Sequence, residues 1–176
     1  MTRRLAIALA CLLPVAALFA QEPKKETVDG VRNFTNVSPT IACAGATEAR
    51  VIPELAKRGY KAVINLRLAT EQGADIEGTR AAALAAGIRF IHLPFNNQQP
   101  DPAVVDAFIA ATSDVANQPT FINCGSAGRV AAMMIARRMV ADGWTQEQAL
   151  AEAATIGPPS PANQEFVLKY VAERRK

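Results

Sequence analysis

Within six consecutive residues, Cys124-Gly-Ser-Ala-Gly-Arg129, the chain brings together a thiol, four small residues and a guanidinium. That grouping suits oxyanions. Gly125, Ser126, Ala127 and Gly128 are small enough for successive backbone N–H groups to converge on one point, and a helix opening at Arg129 adds the positive end of its dipole. The planar fork of Arg129 can grip two oxygens of a tetrahedral anion. The same field favours the thiolate form of Cys124 and makes it a nucleophile at neutral pH. The parts needed for attack on phosphorus or sulfur are all present. The competing reading is a buried structural cysteine in a glycine-rich turn.

The elements around the loop are those that would position it. Thr120-Phe-Ile-Asn123 reads as a strand running straight into Cys124, and a helix follows from about Arg129 to Ala141. Upstream, strands are expected at 40–43, 61–66 and 89–93. A helix capped by Thr47 is expected over 48–58, and others over 77–86 and from Pro102 to about 116, with two more at 145–154 and 161–174. Strands alternating with helices of this length predict a three-layer α/β/α sandwich around a mostly parallel sheet of four or five strands. Ligands in such sheets bind beyond the carboxyl ends of the strands, where Cys124 falls. Residues 31–176 read as one domain, preceded by a flexible leader at 21–30.

Several other residues have two readings each. Arg67 ends a strand on the same sheet edge as Cys124, and either collects anions there or pairs with Glu71. His92 is expected to be a satisfied structural histidine, and Trp144 to pack the helix after the loop onto the sheet. Met133, Met134 and Met139 sit at helical spacing and read as core filler. Cys43 ends a strand that could neighbour that of Cys124. It is either a small apolar residue or the partner of a disulfide that switches the nucleophile off.

The ends and the composition bound the setting. Met1-Thr-Arg-Arg precedes the uncharged run Leu5 to Ala20, followed at once by the polar Gln21-Glu-Pro-Lys-Lys-Glu26, the layout of an export signal cleaved after Ala20. Pro14 interrupts the run, which is shorter than the ~20 residues a spanning helix needs. An exported, periplasmic or secreted protein with no stable membrane anchor is therefore expected. Removing Arg3 and Arg4 from the 19 basic residues leaves 17 against 16 acidic ones. With no basic stripe or interleaved aromatics, nucleic acid is not an expected partner. The single histidine excludes a multi-His metal site.

The strand–Cys–small loop–Arg–helix order resembles the signature of the cysteine-dependent tyrosine and dual-specificity phosphatases. The resemblance is nearest to the bacterial beta-lactamase-hydrolase-like phosphatase family. It spans roughly Thr35 to Gly157 and includes Ala44-Gly-Ala-Thr47, Lys61-Ala-Val-Ile-Asn-Leu-Arg67 with Glu71, Phe90-Ile-His-Leu-Pro94, Asn123-Cys-Gly-Ser-Ala-Gly-Arg-Val130 and Asp142-Gly-Trp-Thr-Gln-Glu-Gln-Ala-Leu150. It implies a phosphatase-like fold and a phosphocysteine formed on Cys124. The amides of 125–129 and Arg129 would hold the phosphoryl oxygens, with no cofactor, and the substrate would be a phosphorylated small molecule or a phosphoprotein.

Three positions depart from that signature. Four residues separate Cys124 from Arg129 where five are usual, a spacing shared with rhodanese-like sulfurtransferases. Asn123 stands where a histidine is usual. The position expected to carry a general acid is Asn97 or Gln98, and the nearest carboxylate, Asp101, either supplies the proton or caps the helix starting at Pro102. A sulfurtransferase and a non-catalytic oxyanion-binding module therefore remain as alternatives.

Overall fold

Three short strands whose residues are all buried form the centre of the fold: β3 (Ile41–Ala44), β4 (Ala62–Asn65) and β6 (Thr120–Asn123). Strands covered on both faces by helices read as unbroken buried runs. The computed structural model describes residues 22–174, and the export signal expected at 1–20 lies outside them. The sheet has six strands in the order β1-β2-β3-β6-β4-β5, with β1 at Lys24–Val28, β2 at Val31–Ser38 and β5 at Arg89–His92. β3, β6, β4 and β5 are mutually parallel; β1 and β2 extend the sheet antiparallel beyond β3.

Helices cover both faces. On one side Cys43, Ile64 and Ile122 pack against Val105 and Phe108 of α3 (Pro102–Ser113), the buried methionines and alanines of α4 (Gly128–Val140), and α5 (Gln146–Ile156) and α6 (Pro161–Arg174). On the other, Ala42, Val63 and Phe121 meet Ile52 and Leu55 of α1 (Ile52–Lys57) and Ala83 of α2 (Ile76–Ala85). This is the three-layer α/β/α sandwich anticipated from the alternation of elements. Met133, Met134 and Met139 lie in its core.

The differences from expectation have local causes. Within the leader expected at 21–30, Lys24–Val28 is not loose but pairs with β2 in register Lys24↔Asn36. All of β1 except Val28 is exposed, so no hydrophobic alternation marks it; its backbone bonds to β2 hold it. Asp29-Gly30 makes the turn. Gly30 has φ +74°, and a Cβ there would come within 2.7 Å of Val51.

The helix expected over 48–58 starts late. A 3₁₀ turn fills Ala49–Val51, α1 follows at Pro53's turn, and the Thr47 hydroxyl donates to Gly45 O rather than capping. The Arg138 guanidinium carbon lies over the Trp144 ring, 4.6 Å from its centroid. Among the described residues no helix is long and apolar enough to cross a membrane.

Candidate oxyanion-binding site

β3, β6 and β4 end side by side, with Ala44, Asn123 and Asn65 in register, so the segments leaving them meet over one point. The loop after β6 is tied to the loop after β3 through its carbonyls. Cys124 N donates to Ala44 O, Ala46 N to Gly125 O (3.0 Å), and the Asn33 side chain to Ser126 O (3.2 Å). Among the described residues, none of the N–H groups of Gly125 to Arg129 donates to a protein acceptor. These are five donors at the head of α4, where the helix dipole adds to them. Ala127 makes the reversal at φ +79°, the left-handed region that an alanine enters at a cost of about 1–2 kcal/mol.

Gly128 has a separate reason to be glycine. A Cβ on it would lie 2.8 Å from Pro158 O, backbone of the α5–α6 connection, which cannot swing aside as a side-chain tip can. Gly128→Ala is therefore expected to destabilise the fold by about 1–3 kcal/mol. Urea unfolding tests this, and an unchanged midpoint would show that the contact relaxes freely.

Cys124 sits at the base of the loop with 0% of its surface exposed. Arg129 is anchored in α4. Its guanidinium is fixed from behind: Nη1 and Nη2 donate to the two carboxylate oxygens of Glu71 at 2.5 and 2.7 Å, and Nη1 also reaches Leu66 O and Phe95 O at 3.2 Å. The Nε side of the fork makes no bond to those acceptors. Burial pushes the Glu71 carboxyl up, but hydrogen bonds from Arg129 and the Leu68 amide outweigh it and bring it down to about 2. Burial opposes the charge of Arg129, while Glu71 and the Cys124 sulfur raise its affinity for the proton further. The pair stays ionised at any ordinary pH.

Glu71 was legible in the sequence only as a partner for Arg67. Its tie to Arg129 joins residues 58 apart, so no local pattern reports it. Arg67 has all three nitrogens occupied, by Glu71 (3.3 Å), Gly73 O (2.9 Å) and Gln72 O (2.7 Å). It shapes the segment that carries Glu71. Three of its five N–H groups are engaged in this way. His92 hydrogen-bonds Arg67 O at 2.8 Å, a structural role.

Asp101, the general-acid candidate, is exposed and accepts from Ala103 N at 2.8 Å, capping α3 before Pro102. Asn97, one of the two positions at which an acid is expected, accepts from the side-chain amide of the buried Asn163 at 3.0 Å. Asn123 is buried and its Oδ1 has no partner.

Cys43 faces Ile122 across the β3–β6 ladder, so Cys124 is its diagonal neighbour, roughly 8 Å away between Cα atoms. Disulfides bridge Cα separations up to ~7 Å without backbone movement. Both thiols are free, and burial pushes that of Cys43 well up. Cys43 is accordingly a core residue in this conformation, not a disulfide partner. Among the described residues no group of three or more His, Cys, Asp or Glu is placed to hold a metal ion.

Comparison with known proteins agrees with this geometry. The family model described as "Beta-lactamase hydrolase-like protein, phosphatase-like domain" matches residues 32–140. No curated protein matches the chain. Among solved structures, P. aeruginosa TpbA superposes with a TM-score of 0.63 at 22% identity, over 85% of this chain and 89% of that one. The core catalytic domain of the PP-IP phosphatase SIW14 from S. cerevisiae gives 0.65 at 17%, over 82% and 88%. A DUF442 protein from Shewanella putrefaciens CN-32 gives 0.69 at 19%, over 82% and 94%.

Proposed function

The chain belongs to the phosphatase-like domain family of beta-lactamase hydrolase-like proteins, and from that premise we propose that it is a cysteine-dependent phosphomonoester hydrolase. The observation that carries the reading is the set of five amide donors at 125–129, closed over Cys124 and flanked by a fixed Arg129.

In the proposed reaction the Cys124 thiolate attacks phosphorus in line with the ester oxygen. An S–P bond forms, the P–O bond breaks, and the alcohol leaves with a proton. The charge on the three equatorial oxygens is taken up by the amides and by the Nε side of Arg129, donors already in place before reaction. Water then attacks phosphorus, the S–P bond breaks, and phosphate departs as the thiolate is restored.

Asp101 spends one oxygen on its cap, so proton donation to the leaving group is weak. Without general-acid help a rate falls by ~10²–10⁴, most for poor leaving groups, and aryl esters should outpace alkyl esters. A phosphorylated small molecule and a phosphoprotein both fit; a solved complex of a cysteine-to-serine variant of TpbA holds pTyr. The run at 5–20 supports export, with action outside the cytoplasm.

The experiment is phosphate release from p-nitrophenyl phosphate by protein lacking residues 1–20 under reducing conditions, beside sulfur transfer from thiosulfate to cyanide. Turnover of the ester alone is expected. The four-residue loop favours a sulfurtransferase as the second reading, and turnover of thiosulfate alone would establish it. Tight phosphate binding without any turnover would make the protein an oxyanion-binding module.

A further inference from the structure

Beside the loop lies a cleft of about 520 Å³ whose walls include Arg32, Ala46, Thr47, Glu48, Arg67 and Asp75. It adjoins the loop through the backbone: Arg32 N donates to Ala46 O (2.8 Å), and Ala46 N in turn donates to Gly125 O (3.0 Å). The next residue, Asn33, reaches Ser126 O from a left-handed backbone at φ +52°. Arg32 therefore stands at the rim of the oxyanion loop on a strand that the loop itself holds in place.

The charges in this cleft are not equivalent. Glu48 is paired with Arg50 at 2.6 Å, Asp75 caps α2 through Gly78 N at 2.8 Å, and Arg67 is enclosed by its three acceptors. Arg32 is exposed and, among the described residues, makes no ion pair and no side-chain hydrogen bond. Its stem is fixed even so, for Gly45 is close enough that a Cβ there would lie 3.2 Å from the Arg32 Cβ and Cγ. A cleft of this volume accommodates a ligand portion of small-molecule size.

We infer that the cleft is a subsite for the non-reacting part of the substrate, and that Arg32 selects phosphomonoesters carrying a second anionic group, a carboxylate or a phosphate. The inference rests on the reading that the loop takes the phosphoryl group. A guanidinium with its whole fork available binds either anion in two parallel bonds. The carboxylates of Glu48 and Asp75 repel an anion displaced toward their walls, which sets the register on Arg32.

Three inert probes test this: phenylphosphonate, 4-(carboxymethyl)phenylphosphonate and 1,4-phenylenebisphosphonate, with affinities for the full-length protein measured by calorimetry. At least one of the two bis-anionic probes is expected to bind about fivefold or more tighter than phenylphosphonate, as for a charge-assisted contact at a solvated site. Which of the two gains tells carboxylate from phosphate. Arg32→Gln should erase the gain and leave phenylphosphonate affinity unchanged, while Arg32→Lys should keep part of it. Equal binding of all three probes, a preference that survives Arg32→Gln, or no binding of any probe overturns the inference. Because affinity is read without turnover, a preference seen in a protein inactive on p-nitrophenyl phosphate would sustain the subsite and remove the hydrolase.

Discussion

Cys124→Ser is expected to lower turnover of p-nitrophenyl phosphate by on the order of 10⁴-fold or more, the loss typical of removing a nucleophile. Inorganic phosphate should still bind with an affinity within about tenfold of the wild type, because the five amides at 125–129 and Arg129 remain and each lost hydrogen bond is worth only about 0.5–1.5 kcal/mol. The two measurements separate nucleophile from cradle. Hydrolysis retained in Cys124→Ser would end the cysteine mechanism, whereas loss of phosphate binding along with turnover would mean that the buried thiol shapes the loop itself. The substitution is nearly isosteric, which makes the second outcome readable by comparing unfolding midpoints.

Glu71→Gln is expected to reduce kcat/KM by about 10–100-fold, and Arg129→Lys by about 10²–10³-fold, with both proteins folded. Glutamine keeps an acceptor for Arg129 but removes the charge that balances it. Lysine keeps the charge but cannot bond Glu71 and an oxyanion at the same time. The Glu71 side chain is about 25% exposed, so its pair with Arg129 is sheltered enough to matter energetically. Its carboxyl is held near 2 in the folded protein against an ordinary 4.5. The sign follows from that depression: the ionised carboxylate's contribution, on the order of 3 kcal/mol shared among its bonds to Arg129, the Leu68 amide and Arg67, is present above about pH 4.5 and is lost as pH falls from there toward 2. In Glu71→Gln the part of the acid destabilisation between those limits that comes from this pair should disappear. An acid unfolding profile identical to wild type, or unchanged kcat/KM, would show that Glu71 does not hold Arg129 in solution.

Much of this site was visible one residue at a time. Cys124, the four small residues and Arg129 are consecutive, so their chemistry could be read from their types and order. The strand before and the helix after them have local signals, and β6 and α4 fall where those signals put them. The core role of the three methionines and the cap at Asp101 are likewise local, a matter of helical spacing and of an aspartate before a proline.

What the sequence by itself determined, then, is the α/β/α architecture and the turn from Cys124 to Arg129 between a strand and a helix, because each depends on periodicity or on neighbours in the chain. Only the tertiary structure decided which partners those groups take. The bidentate grip of Glu71 on Arg129, the tie from Asn33 to Ser126, the diagonal offset that keeps Cys43 from Cys124 and the unpaired Arg32 beside the cleft all join residues far apart in sequence. Strand β1 carries a local signal only in its Asp29-Gly30 turn; its exposed residues show no alternation, and the ladder to β2 holds it. Contacts of this kind are fixed by sheet order and register, and β6 reaches its place between β3 and β4 only when the whole sheet has assembled.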